Sequence, residues 1–155
     1  MRTLEVGKKA APFTLNDQRG EPMSRDDEPG RRLVLSFHPL AWTPVCSKQM
    51  QALEENRLRF RKANAVAVGV SVDPSPSKLA WAKSLGIKKT RLLSDFWPHG
   101  AVSRRLGLFR PEDGFSERAV LILDERRRVR FARVYPLAKL PDLEDVFKAL
   151  SRMGG

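Results

Sequence analysis

The sequence predicts an α/β fold built on a mixed central sheet. Three observations carry that expectation. Short apolar runs alternate with segments of helical periodicity. The runs that follow helices can pair in parallel. The last two runs flank a turn too short for a crossover, so they must pair antiparallel. The chain has 155 residues, a length that suits one domain over 1–155 with a core of its own. No composition shift or repeat divides it, and Ser75-Pro76-Ser77 and Arg110 to Gly114 read as loops.

The elements follow in order. Pro12-Phe13-Thr14-Leu15 and Met23 flank Asp17-Gln18-Arg19-Gly20, an N-terminal hairpin extension. Arg32 to Phe37 is a short apolar run and reads as a buried strand. A helix begins at Thr43 or Pro44 and runs to about Arg61, because Met50, Leu53, the Arg57 stem and Phe60 recur every three to four residues. Ala65 to Ser71 is a second buried strand, Ser77 to Leu85 a helix stopped by Gly86, and Thr90 to Leu93 a short strand. His99 to Leu106 reads as a helix followed by Gly107. Strands at Ala119–Leu123 and Val129–Val134 surround Asp124 to Arg128, whose three arginines read as a solvated turn. Pro141 to Arg152 is the last flanking helix, with Pro141 in its first turn.

Composition narrows the function. No apolar run reaches the roughly 18–20 residues of a membrane span. The first seven residues, Met1 to Gly7, lack an export signal, so the cytoplasm is the expected location and no membrane is expected as a partner. The chain carries 29 Lys+Arg against 18 Asp+Glu, a net charge of +11. Its basic residues are scattered, aromatic residues are not interleaved with them, and no nucleic-acid motif is present, so nucleic-acid binding is expected to be at most nonspecific and salt-sensitive. There is one cysteine, Cys46. It excludes an intrachain disulfide, a CxxC pair and a multi-thiolate metal centre. His38 and His99 are the only histidines and lack metal-ligand spacing, and no nucleotide or zinc motif occurs. Neither a cofactor nor a metal is expected.

The segment Phe37-His38-Pro39-Leu40-Ala41-Trp42-Thr43-Pro44-Val45-Cys46 joins a buried strand to a helix, where α/β proteins place active sites. Cys46 falls in the first helical turn, where unpaired N–H groups and the helix dipole favour a thiolate. Thr43 either caps the helix or turns its hydroxyl toward the sulfur, and Pro39 bends the loop and helps exclude water. These residues alone leave both a buried spectator cysteine and a reactive nucleophile open.

Pro39-x-x-x-Thr43-x-x-Cys46 resembles the PxxxTxxC motif of the peroxiredoxins, thiol peroxidases on a thioredoxin-like fold. The resemblance covers nearly the whole chain. Val6-Gly7 with Ala11 to Leu15 is similar to the family's N-terminal hairpin, and Gly69 to Asp73 to its second sheet strand. Leu93 to Val102 resembles a stretch of one-cysteine members of the alkyl hydroperoxide reductase E type. Glu117 to Asp124 resembles the strand bearing the family's active-site arginine, which falls on Arg118.

The resemblance implies that Cys46, Thr43, Arg118 and Pro39 are the catalytic residues, and that Cys46 reduces hydrogen peroxide or organic hydroperoxides and becomes a sulfenic acid. An ordinary thiol, with a pKa of about 8.5, is only a few per cent ionised at pH 7. Full ionisation therefore supplies about 30-fold, and the larger share must come from holding the peroxide in line and stabilising the leaving oxygen. Arg118 and Thr43 have the donors for that task. Gln51 stands five residues after Cys46 and no second cysteine exists to resolve the sulfenic acid. The expected reductant is therefore external: a low-molecular-weight thiol, or a thioredoxin- or glutaredoxin-like protein. A homodimer or higher homo-oligomer packed around the active-site loops is also implied. Two positions depart from the family pattern: Gln49, where many members have Glu, and His38, where an aromatic is common.

Several other residues carry expectations. Phe37 and Trp42 should pack around the pocket or a subunit interface, and Trp97 in the core or a pocket wall. His38 is near enough to line the pocket, His99 reads as structural, and Asp73 and Asp95 as loop initiators. Two other readings use the same scaffold: a redox-sensing or nonspecifically nucleic-acid-binding protein with Cys46 as a switch, and an inactive relative with an unreactive Cys46.

Overall fold

The computed structural model describes residues 5–154. Met1 to Leu4, part of the stretch read for an export signal, lie outside the described residues. Thr14–Asn16 (β1) and Pro22–Ser24 (β2) form the expected hairpin, with Leu15 opposite Met23. Its turn is fastened by Asp17, whose Oδ1 accepts from the N–H groups of Arg19 and Glu21. Then come Arg32–Phe37 (β3), Pro44–Glu55 (α1), Arg57–Lys62 (α2) and Ala65–Ser71 (β4). Ser75–Leu85 (α3), Leu92–Ser94 (β5) and Ala101–Arg105 (α4) follow. Phe109–Arg110 (β6) pairs with Phe115–Ser116 (β7), and the chain ends with Arg118–Leu123 (β8), Val129–Tyr135 (β9) and Leu143–Arg152 (α5).

The main sheet has seven strands in the order β2-β1-β5-β4-β3-β8-β9. The β5–β4 and β4–β3 pairs are parallel and the others antiparallel. Alternation along β3 sends Leu33, Leu35 and Phe37 to one face and Val34 to the other, and each meets its own apolar cluster. Burial on both faces explains why the central strands read as unbroken apolar runs. One face is covered by Phe13, Met23, Val102 and Leu106, the other by α1, α3 and α5 through residues such as Met50, Trp81 and Phe147.

The structure corrects several expectations. The helix expected up to Arg61 breaks at Asn56, whose side-chain amide donates to Ala52 O at 2.9 Å and competes with helix continuation. Pro141 lies outside the last helix, because Asp142 takes the cap and accepts from Glu144 N. The loop around Arg110 to Gly114 is the turn of the β6–β7 ribbon, whose two-residue strands are too short for a periodic signal. His99 precedes α4 instead of opening it. The arginine-rich turn is only partly solvated. Arg126 and Arg128 are exposed, but Arg127 is buried and donates to the carbonyls of Arg25, Arg31, Asp124, Asp27 and Glu28. Trp97 is not in the core, being 80% exposed; it lines a surface pocket with Thr14, Pro74 and Phe96. Among the described residues no helix is long and apolar enough to cross a membrane.

Candidate active site

The loop from β3 to α1 is built by its own backbone. Pro39 is buried and Trp42 adopts a left-handed conformation (φ 72°) that turns the chain. Thr43 is extended at the N-cap, and Pro44 opens the helix, where its missing N–H costs nothing. Cys46 therefore stands in the first turn, fully buried. The Thr43 hydroxyl donates to Leu40 O at 2.8 Å and makes no side-chain cap, so the threonine ties the loop together.

The antiparallel pairing of β8 with β3 sets Ala119 opposite Phe37, which brings Arg118 to the end of the strand that leads into this loop. Arg118 is buried, and its Nη1 lies 3.3 Å from Cys46 Sγ across 72 residues of sequence. The same nitrogen donates to Gln49 Oε1 at 2.7 Å, while Nε donates to Leu137 O at 2.9 Å. Gln49 is held in turn by donation from its amide to Ser36 Oγ and Phe37 O at 2.7 and 3.0 Å. Being neutral, Gln49 orients the guanidinium without cancelling its charge. Among the described residues, no carboxylate pairs with Arg118, and the nearest group able to carry negative charge against it is the Cys46 sulfur. The sequence-predicted Cys46, Arg118, Thr43 and Pro39 thus share one site. The direct contact at the sulfur comes from Arg118, whereas Thr43 bonds to its own loop.

His38 is buried beneath this loop rather than lining an open pocket. Its ring lies against Trp81 (centroids 5.4 Å apart), and Nδ1 sits 3.5 Å from Ser36 O. Burial, then the charge of Lys78, push its pKa well below the usual histidine value, with the Ser36 carbonyl opposing and Arg118 adding to the shift. The imidazole is therefore neutral at neutral pH. His99 lies exposed, with Nε2 2.7 Å from Gly114 O. Phe37 is buried in the core, and Trp42 is half exposed with its Nε1 donating to Ser77 Oγ at 3.1 Å. Asp95 does more than start a loop: its carboxylate accepts the N–H groups of Val102 and Ser103 at the head of α4.

Sequence reasoning missed a second polar group below the loop: Ser71, Asp73 and the fully buried Lys78. The available signal was spacing. Lys78 lies three and four residues before Trp81 and Ala82, on the face of α3 that enters the core. Among the described residues, no cluster of three or more His, Cys, Asp or Glu side chains converges as a metal site would require.

Residues 6–132 match the AhpC/TSA family. Alkyl hydroperoxide reductase E of Mycobacterium tuberculosis is 36% identical over 132 residues, covering 84% of this chain and 86% of the relative. Among solved structures, the peroxidoxin BcpB of M. tuberculosis superposes with a TM-score of 0.85 at 24% identity, covering 98% of this chain and 99% of the other. A reduced 2-Cys peroxiredoxin of Plasmodium vivax superposes with a TM-score of 0.86 at 26% identity, covering 96% and 81%. These superpositions identify the mixed sheet and its helices as a thioredoxin-like fold. A family match over most of the chain, and a relative more than one-third identical across the same stretch, establish the kinship: this chain belongs to the AhpC/TSA family and is a thiol-dependent peroxidase of the peroxiredoxin type.

Proposed function

We propose that residues 1–155 form one peroxidase domain of the one-cysteine kind, with Cys46 as the peroxidatic residue. The observation that carries this reading is the 3.3 Å contact from Arg118 Nη1 to Cys46 Sγ at the first turn of α1. Guanidinium and helix dipole both favour a thiolate there. The thiolate sulfur attacks the terminal oxygen of hydrogen peroxide or an organic hydroperoxide. The O–O bond breaks, the sulfur becomes a sulfenic acid, and the departing oxygen leaves as water or alcohol after protonation. Arg118 stabilises charge on that oxygen. Thr43, whose hydroxyl proton is engaged by Leu40 O, keeps lone pairs to accept from the peroxide O–H. Pro39, buried and without an N–H, keeps water from the sulfur.

Cys46 is the only cysteine, so the return step uses an external thiol. One thiol displaces water from the sulfenic acid to give a mixed disulfide, and a second releases Cys46 and leaves as the disulfide product. A low-molecular-weight thiol or a thioredoxin- or glutaredoxin-like protein of the cytoplasm fits that role. Exposed Trp42, Phe96 and Trp97 lie on the loops after β3 and β5, and support self-association of this end of the molecule.

Stopped-flow measurement without added thiol tests the reading. Peroxide consumption should cease after one equivalent and be absent in Cys46→Ser. Sustained turnover without thiol, or equal consumption by the variant, overturns it.

A further inference from the structure

The peroxidase chemistry above leaves one buried polar chain unused. Lys78 on α3 has no exposed surface and pairs directly with no carboxylate among the described residues. Its Nζ donates to Ser71 Oγ at 2.5 Å, Ser71 Oγ donates to Asp73 Oδ2 at 2.6 Å, and the same Oδ2 accepts the N–H of Ala41 at 2.8 Å. Ala41 is in the middle of the Pro39–Thr43 loop. A line of three hydrogen bonds therefore runs from the inner face of α3 to the backbone that delivers Thr43 and Cys46. The neighbouring loop residue is fastened to the same helix, where Trp42 Nε1 donates to Ser77 Oγ.

Burying an ammonium is costly unless something uses the charge. The ionisable groups around Lys78 come from several elements. Cys46 on α1, Asp73 ahead of α3 and Asp95 after β5 favour its charged form. His38, after β3, feels the repulsion of both Lys78 and Arg118 and stays neutral.

We propose that Lys78 is a positioning residue for the peroxidase reaction: through Ser71 and Asp73 it fixes the active-site loop at Ala41, and its ammonium adds a second positive charge, beside that of Arg118, for the Cys46 thiolate. This rests on the reading of Cys46 as the reacting thiol. The two contributions respond differently to pH. Burial brings the Lys78 pKa down to about 7, against the pull of its acidic neighbours. The ammonium is thus present on the acid side of neutrality and lost on the alkaline side, while packing at the site persists throughout. Its charge therefore acts toward the sulfur on the acid side of neutrality and not on the alkaline side.

The test follows Cys46 by stopped-flow peroxide oxidation and by iodoacetamide alkylation from pH 5.5 to 9. The proteins are wild type, Lys78→Met, Lys78→Gln and Ser71→Ala, with Cys46→Ser as control. Lys78→Met keeps the volume and removes the charge, and Lys78→Gln removes the charge while keeping a donor for Ser71. Both should react about tenfold more slowly than wild type near pH 6, the size of a one-unit pKa difference. By pH 9 Lys78→Gln should converge on wild type, and Lys78→Met, which also loses the donor to Ser71, should keep only the small factor of a cut tether. Ser71→Ala, which cuts the tether and spares the charge, should lose a smaller factor that does not change with pH. Wild-type rates in both Lys78 variants, or a loss by the same factor at every pH, would overturn the proposal, the latter marking a purely structural lysine. If Lys78→Met fails to fold, Lys78→Gln decides the question alone. Failure of wild-type Cys46 to react with peroxide at all would instead remove the peroxidase reading.

Discussion

At the scale of single residues, Arg118 and Lys78 meet their buried charge in different ways. Arg118 spreads its charge over Leu137 O, Gln49 Oε1 and Cys46 Sγ. Its fork suits a developing negative charge better than an ammonium would. Arg118→Met should therefore lower the second-order rate constant for peroxide about 100-fold, as loss of a charge-stabilising donor does elsewhere, in single-turnover measurements. Lys78 has fewer partners, and its cost appears in stability. The folded pKa is about 7 and the unfolded one about 10.4, so between those values the unfolded chain holds the extra proton. Stability should rise with pH across that window, by on the order of 2 kcal/mol from pH 7 to 9. Urea unfolding of wild type should show this rise, and Lys78→Met should lack it and be the more stable protein at pH 7. His38 acts in the same direction at lower pH. Its folded pKa lies well below the usual 6.5, so acidification through that value weakens the fold.

At the scale of elements, most helices and strands follow from local pattern, and two of the exceptions have local causes in side-chain hydrogen bonding. Asn56 ends α1 because its amide bonds to Ala52 O. Asp142, not Pro141, starts α5 because its carboxylate accepts the Glu144 N–H. The turn between β8 and β9 holds the segment around residues 25–31 through Arg127, whose guanidinium satisfies five carbonyl oxygens. Arg127→Met would leave those acceptors without their partner, the Arg25 and Asp124 carbonyls in buried positions. It should cost about 3 kcal/mol in denaturant unfolding, while the rate at which Cys46 reacts with peroxide in the folded protein stays near wild type.

At the scale of the whole molecule, the loops after the parallel strands converge at one end of the sheet, as expected for an α/β protein. That end carries Cys46 together with exposed Trp42, Phe96 and Trp97. Self-association through it should make the sedimentation coefficient rise with concentration, and Trp97→Lys should hold the protein as a monomer. A wild type that stays monomeric at high concentration would remove this part of the proposal. The net charge of +11 comes from basic residues scattered along the sequence, with Arg25, Arg32, Lys78, Arg118 and Arg127 among them buried. It attracts anions generally, an effect that falls with salt.

The sequence by itself determined the order of elements, the buried central strands and the motif from Pro39 to Cys46, because hydrophobic period, helix caps and short-range spacing are local properties of the chain. Tertiary structure decided what lies across from them. The pairing of β8 with β3 puts Arg118 Nη1 against a sulfur 72 residues away. Packing of α3 turns Lys78, which reads in sequence as an ordinary helical lysine, into a buried amine joined to the Pro39–Thr43 loop. Packing also left Trp97 in solvent and buried Arg127, against the residue types' own tendencies. Burial and long-range charge contacts are properties of the assembled fold, set by which faces meet, and no stretch of local pattern encodes them.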